Sequence, residues 1–211
     1  MYSNLSFTNR RPSMVLLSGP LDIFSHCCRI VLLEKDIDCE IQYVTVNDDP
    51  SVVGEHNPYG ETPTLVDRDV ALYDMCVITE YLDERFPHPP LMPVDPITRA
   101  KTRLIVSRLS RDWLKPISDL GETVSPQPSP ALQKSLHDGL VSLSSIFTGQ
   151  PFFLGTDFSL VDAYFAALLW RLPVLGIELP KLADPLMRYG VSLFQRPTFH
   201  ESLSELEAEL Q

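Results

Sequence analysis

Three side chains that could take part in nucleophilic chemistry follow one another as Ser25, His26 and Cys27. Serine and cysteine become good nucleophiles when a base or a helix dipole activates them. Residues 25–35 have helical spacing, and adjacent residues on a helix point in different directions, so His26 is not expected to activate its neighbours. A cysteine in such a helix is more often a small core residue. Ser25 and Cys27 stay open as candidates, and the pattern favours burial.

A second candidate is a recognition surface at residues 87–96, which contain five prolines. Each proline fixes φ and removes an amide donor, so the segment is predicted to be a stiff, extended connector. Its outward side chains, Pro87, His88, Pro89 and Pro90, would lose little entropy on binding a partner. A plain hinge between two domains fits the same composition, and composition alone favours the hinge.

The composition limits the classes of function. A net charge of −11 argues against direct binding to nucleic acid or anionic lipid, because the protein repels phosphates. The cysteines lack CxxC and zinc-ligand spacing, so we expect reduced thiols, no metal and no cofactor. Without a recognisable signal peptide or bilayer-spanning segment, the protein is expected to be cytoplasmic. The four cysteines are Cys27, Cys28, Cys39 and Cys76.

These residues need a scaffold, and the first 86 residues predict β-α-β-α-β-β-α. Residues 1–13 are polar and are expected to form a flexible tail. Strands are predicted at 14–18 and 40–46 and a hairpin at 63–73, with helices at 25–35 and 74–86. The helix between the first two strands implies that they pair in parallel.

The pattern after the connector is helical throughout. Asp95 is predicted to cap a helix that begins at Pro96. Ser159 and Asp162 form a capping box before a helix that is apolar nearly all round, and further helices are predicted at 184–194 and 198–210. Two apolar stripes mark the other helices: Ile105, Leu109, Trp113 and Ile117, then Leu132, Leu136, Leu140, Leu143 and Phe147. Four glutamates near the end predict a solvated helix face: Glu201, Glu205, Glu207 and Glu209.

These elements resemble the glutathione transferase superfamily over residues 14–210. Residues 61–66, which include Pro63, match its cis-proline segment, and residues 74–83 and 158–163 match two further motifs. The resemblance implies an α/β plus all-α fold, with a thioredoxin-like domain at 14–86, the connector at 87–96 and a helical bundle at 97–211. It also implies a cis peptide bond before Pro63.

The same resemblance implies a glutathione site that has lost key groups. Asp22 stands where these enzymes carry the residue that contacts the glutathione sulfur, and an ionised carboxylate has no proton to donate. Asp74 is followed by Met75, where the enzymes have a serine that helps to hold the γ-glutamyl group. The resemblance therefore implies a vestigial site formed by Asp22, Ser25, Thr62, Pro63, Asp74 and Met75.

Within this superfamily, residues 81–93, 168–173 and 175–178 resemble the bacterial stringent starvation protein A family. The departures at Asp22 and Ser25 look like those of that family. The likeness implies a homodimer that associates with RNA polymerase holoenzyme, contacts the sigma factor and alters promoter use under starvation and acid stress without transferase activity. It places the family's Pro-His-Pro surface on residues 87–89, with Asp95 at its edge in place of an aromatic residue.

Three interpretations therefore remain open. The first is a transcription regulator that docks through Pro87, His88 and Pro89, with acidity suited to basic partner surfaces. The second is a glutathione-dependent transferase or thiol enzyme that uses Ser25 or Cys27. The third is a cleft between the domains that binds a small regulatory ligand. Dimerisation is implied by the family, in which the last helix of the first domain packs on the first helices of the partner's second domain.

Overall fold

The first part of the chain forms a four-stranded sheet with three helices. The structure is a computed structural model that describes residues 14–45 and 50–210. The tail predicted at 1–13, and the end of the strand predicted to reach Val46, lie outside the described residues. The elements are β1 (Met14–Ser18), α1 (Ile23–Glu34), β2 (Glu40–Tyr43), α2 (Pro50–Gly54), β3 (Thr64–Asp67), β4 (Val70–Tyr73) and α3 (Met75–Arg85). Their order confirms the predicted β-α-β-α-β-β-α pattern.

The sheet has the strand order β2-β1-β3-β4, so β1 lies at its centre. β1 runs parallel to β2, as predicted, and antiparallel to β3, where Leu16 lies opposite Leu65. Both leucines are fully buried. β3 and β4 form the predicted hairpin, and the Thr62–Pro63 peptide bond is cis, which confirms that prediction.

The second part of the chain is helical. Its elements are α4 (Pro96–Leu109), a π-helical turn (Ser110–Leu114), α5 (Lys115–Ser118), α6 (Pro130–Leu143), a 3₁₀ turn (Ser144–Thr148), α7 (Leu160–Trp170), a 3₁₀ turn (Lys181–Ala183), α8 (Asp184–Phe194), α9 (Pro197–Ser202) and α10 (Glu205–Ala208). None of the helices in the described ranges is long and apolar enough to cross a lipid bilayer. The domain boundaries at 86 and 97 stay a prediction.

One predicted helical stripe contains an irregular turn. The regular spacing from Ile105 to Ile117 predicts one continuous helix, and residues 96–118 are helical throughout, with the π-helical turn between α4 and α5. Pro116 lies just after this turn and has no amide to donate to a carbonyl in the preceding turn, which is a common cause of such irregularities. The turn places Ser110 and Arg111 along a cleft that faces the sheet-containing part of the protein.

The most buried helix is α7, which packs against α1, α4 and α8. Every residue of α7 is buried. The predicted capping box is confirmed, because the Ser159 amide donates to Asp162 Oδ2 at 2.9 Å and the Ser159 side chain accepts the amide of Asp162. α7 is therefore the centre of the helical part.

The end of the chain differs from the prediction. Residues 198–210 form two short helices instead of one, and Ser204 caps the second with Glu207 at its third position. Glu207 was predicted on a solvated face, but it is fully buried. It pairs with Arg29 of α1 and, at 2.5 Å, with Arg171 just after α7. The prediction for Glu207 is wrong because its partners come from distant elements, while the other glutamates of this segment are exposed.

Candidate functional site

The proline segment is exposed and follows α3 directly. Pro87, His88, Pro89 and Pro90 all face solvent, and the His88–Pro89 peptide bond is cis. Sequence reasoning did not predict this second cis bond. An exposed imidazole between prolines can donate, accept and stack, which are the properties of a recognition side chain.

Two residues anchor the segment immediately after the exposed prolines. Leu91 and Met92 are 2% and 4% exposed and belong to the hydrophobic core. The Leu160 amide, at the start of α7, donates to the Leu91 carbonyl at 3.0 Å. The connector is therefore attached to the helical part by packing and by a backbone hydrogen bond, which argues against a loose hinge.

A buried ion pair lies beneath the segment, and sequence reasoning missed it. Lys35 Nζ contacts Asp83 Oδ1 at 2.8 Å and donates to the Pro89 carbonyl at 2.6 Å. Asp83 accepts the amides of Leu91 at 2.8 Å and Met92 at 3.2 Å. An acidic residue just before a proline-rich segment was the available signal, but nothing local identified Lys35 as its partner.

Asp95 lies at the edge of this surface and performs its predicted capping role. Its Oδ2 accepts the amide and the hydroxyl of Thr98, each at 2.8 Å. These hydrogen bonds hold the pKa of Asp95 below its usual value. The carboxylate is exposed, so it remains available to a partner while it caps α4.

Thr62, Pro63, Asp74 and Met75 line one cleft between the sheet and α4, with a volume of about 740 Å³. The structure thus brings together four of the six residues assigned to the vestigial glutathione site. Asp22 lines an adjacent cavity of about 430 Å³, which it shares with Thr62. Ser25 lines neither cavity, because its side chain is fully buried.

Asp22 and Ser25 form a local capping interaction. Asp22 caps α1 by accepting the amides of Phe24 at 3.2 Å and Ser25 at 2.9 Å. The Ser25 hydroxyl donates to Asp22 Oδ2 at 2.6 Å and accepts the Gly19 amide at 3.0 Å. Burial raises the pKa of Asp22 against the opposing effect of these hydrogen bonds. The Ser25 proton is therefore committed to Asp22.

Cys27 is fully buried in α1. Burial raises the pKa of its thiol well above the ordinary value, and the guanidinium of Arg171 opposes this rise only in part. A buried thiol with a raised pKa has little thiolate, which is the reactive form. Cys27 is thus placed as a core residue, as the sequence pattern favoured.

The other end of the cleft contains Asp74 and Met75. The exposed Asp74 caps α3 by accepting the amides of Cys76 at 2.8 Å and Val77 at 3.2 Å, and its backbone has φ of 75°. A positive φ is uncommon for a residue other than glycine and points to a local constraint. Met75 is 3% exposed and offers no hydrogen-bond donor. A ligand carboxylate at this helix start would compete with the Asp74 carboxylate.

No group of three or more His, Cys, Asp or Glu in the described ranges is arranged to hold a metal ion. The candidate site has two separate parts. One is the exposed and anchored proline segment, and the other is the open cleft beside Pro63, where Asp74 caps the start of α3. Together with the mixed sheet and the helical bundle, this geometry defines a protein of the glutathione transferase fold class.

Comparisons with known proteins agree with this fold class. Residues 23–85 match the family model "Glutathione S-transferase, N-terminal domain". A rice glutathione S-transferase solved with glutathione is 21% identical with a TM-score of 0.80, and the match covers 95% of this chain and 96% of that one. At that identity, the rice structure supports the fold alone.

Two relatives identify the family within the glutathione transferase superfamily. The stringent starvation protein A homologue of Coxiella burnetii is 43% identical, with 96% of this chain and 97% of the relative covered. The homologue of Pasteurella multocida is 42% identical, with 94% and 93% covered. The chain belongs to the stringent starvation protein A family.

Proposed function

We propose that this protein regulates transcription in the starvation and stress response by docking to RNA polymerase holoenzyme, including its sigma factor. The contact is made by the docking surface, defined as Pro87, His88, Pro89 and Pro90 with Asp95 at its edge. In this proposal the protein acts in the cytoplasm as a homodimer, without catalysis and without binding nucleic acid itself.

One observation carries the proposal: an exposed histidine lies on a segment that is fixed to the protein core. His88 faces solvent, while Leu91 and Met92, close behind it, are buried. A fixed, exposed segment binds with a smaller entropic cost than a mobile loop. Membership in the stringent starvation protein A family is the ground on which we propose RNA polymerase as the partner.

The charge of the protein supports this partner. The net charge of −11 attracts basic protein surfaces and speeds their encounter. β4, α3 and α4 also expose large apolar side chains, which are residues of the kind that a homodimer interface would bury. These residues are Val70, Val77, Ile97 and Leu104.

The glutathione-dependent enzyme is less well supported. Ser25 is buried and bonded to Asp22, and Cys27 is buried with a raised pKa. The open cleft beside Pro63 is the feature that keeps this alternative testable. Retention on immobilised glutathione, or turnover of an electrophile, would favour it.

The test is a binding titration against the cognate bacterial RNA polymerase holoenzyme. Wild-type protein, His88→Ala and His56→Ala are compared, because His56 is also exposed but lies near α2. We expect saturable binding by wild type and His56→Ala and a loss of at least tenfold in affinity, or about 1.4 kcal/mol, for a folded His88→Ala. Equal affinity for all three proteins, or binding by none, would contradict the proposal.

A further inference from the structure

The prolines of the docking surface fix φ but provide few hydrogen bonds to the rest of the protein. Pro87, Pro89 and Pro90 have no amide hydrogen, so His88 carries the only backbone donor of residues 87–90. The position of the segment on the protein therefore depends on groups from other elements that bind its carbonyls and anchor its ends.

Lys35 and Asp83 provide these groups from two different helices. Lys35 caps the end of α1 and donates to the Pro89 carbonyl at 2.6 Å. Asp83, in the last turn of α3, accepts the amides of Leu91 and Met92, which follow Pro90. Because Lys35 and Asp83 also contact each other at 2.8 Å, the pair holds three of the four positions that follow His88, namely 89, 91 and 92.

The location of Asp83 is unfavourable without the connector. A buried charge destabilises a protein unless it is paired and hydrogen-bonded, and Asp83 is 5% exposed. A carboxylate near the end of a helix also opposes the helix dipole, whereas Lys35 at the end of α1 suits it. A residue that breaks such a local rule indicates a compensating role. For Asp83, the compensating ligands are Lys35 and the connector amides.

We propose that Lys35 and Asp83 are positioning residues for the docking surface, which hold His88 and its neighbouring prolines in the conformation that the partner binds. This inference rests on the proposed function and adds that affinity depends on two buried residues that the partner does not reach. A segment held in its bound conformation before contact loses less freedom on binding.

The main test is the double variant Lys35→Met/Asp83→Asn, which removes both charges and so leaves no lone buried charge. We expect its affinity for RNA polymerase holoenzyme to fall on the order of tenfold while cooperative unfolding is retained. Hydrogen exchange at the Leu91 and Met92 amides should become faster. The single variant Lys35→Arg, which keeps the charge and the hydrogen-bond donors, should retain most of the wild-type affinity.

A second ion pair of α1 serves as the matched control. Glu34 accepts a hydrogen bond of 2.7 Å from Arg196 Nε, which links α1 to the start of α9 instead of the connector. The control variant Glu34→Gln/Arg196→Met likewise removes one positive and one negative charge. It is expected to lower stability and to leave both the affinity and the exchange at Leu91 unchanged.

The outcomes separate the two proposals. If the double variant binds as tightly as wild type while His88→Ala loses binding, the positioning role is wrong and the docking function stands. If His88→Ala binds like wild type, both proposals fail. Should the double variant not fold, Lys35→Met alone keeps Asp83 with its two amide donors, and unchanged affinity in that variant overturns the positioning role.

Discussion

Arg171 Nη1 donates a hydrogen bond of 2.9 Å to His26 Nδ1 inside the protein. A guanidinium has only donors, so Nδ1 must be unprotonated and His26 must be neutral. The proton therefore lies on Nε2, which donates to the Ser202 hydroxyl at 3.0 Å. Burial lowers the pKa of His26 to about 3, with Arg171 and Arg29 acting in the same direction and Glu207 opposing them.

The lowered pKa of His26 predicts a loss of stability in mild acid. An unfolded histidine binds its proton near pH 6.5, while folded His26 does not until about pH 3, so its contribution is complete above pH 6.5 and falls below it. Between pH 6.5 and 4.5 this amounts to about 2 kcal/mol in the free energy of unfolding. The measurement is urea denaturation across this range for wild type and His26→Asn, in which the slope due to this group should vanish.

Other buried acids also change the stability with pH, so the contribution of His26 is the difference between the pH slopes of wild type and His26→Asn. Burial raises the pKa values of Asp22, Glu122 and Asp162, and these groups contribute a slope of the opposite sign. They are common to wild type and variant. His200→Asn, at an exposed histidine, should keep the wild-type slope. Identical slopes for wild type and His26→Asn would show that His26 is not held neutral.

Glu207→Gln is predicted to be strongly destabilising. The carboxylate lies between Arg29 and Arg171, and its removal leaves two buried guanidiniums without their counter-charge. Loss of one partner from a buried ion pair costs about 3–5 kcal/mol in the free energy of unfolding. Denaturation by urea measures this cost, and Glu205→Gln is the control, because Glu205 is exposed in the same helix. If Glu207→Gln and Glu205→Gln lower the free energy of unfolding by similar amounts, the ion pairs of Glu207 with Arg29 and Arg171 do not stabilise the protein.

The four cysteines are predicted to react slowly in the native protein. Burial raises the pKa values of Cys39 and Cys76 to about 12 and holds those of Cys27 and Cys28 well above the ordinary value of a thiol. At pH 8 the thiolate fraction of a group with a pKa of 12 is roughly one in ten thousand. A thiol-reactive disulfide reagent should label native protein far more slowly than protein in urea. Rapid native labelling that Cys27→Ser abolishes would revive the thiol enzyme.

Asp95 should be separable into its capping role and its charge. Asp95→Asn keeps a side-chain acceptor for the Thr98 amide, whereas Asp95→Ala removes it. We expect the alanine variant to unfold at a lower temperature than wild type and the asparagine variant to unfold near the wild-type midpoint. Because Asp95 lies at the edge of the proposed docking surface, we also expect Asp95→Asn to bind polymerase more weakly than wild type. Wild-type affinity in the asparagine variant would limit Asp95 to its capping role.

Local patterns predicted most of the fold because local interactions specify it. The turn after Asp67, the capping box at Ser159 and the helix Asp184–Phe194 depend on neighbours in sequence, and all were predicted. Asp22 was assigned only by resemblance, although an acidic residue before an apolar helix is also an N-cap signal. The capping geometry explains why its carboxylate is tolerated at that position.

Long-range charge pairs could not be predicted. Glu207 and Arg29 are 178 positions apart, and Lys35 and Asp83 are 48 apart. Charged residues of these types are usually exposed, so their residue type alone does not predict burial. Only the packing of α1 against its neighbours shows that these four residues are buried. The exposed residues of the candidate site could be proposed from the sequence, whereas the buried residues that support them became visible only in the structure.

The scarcity of amides at residues 87–90 also limits how another chain can pair with this surface. Addition of a β-strand requires alternating donors and acceptors along the receiving edge, and three of the four positions at 87–90 have no amide donor to offer. The exposed stretch is thus protected from edge-to-edge aggregation. Any partner must recognise side-chain shape and the carbonyl oxygens, which makes the surface selective while it remains permanently exposed.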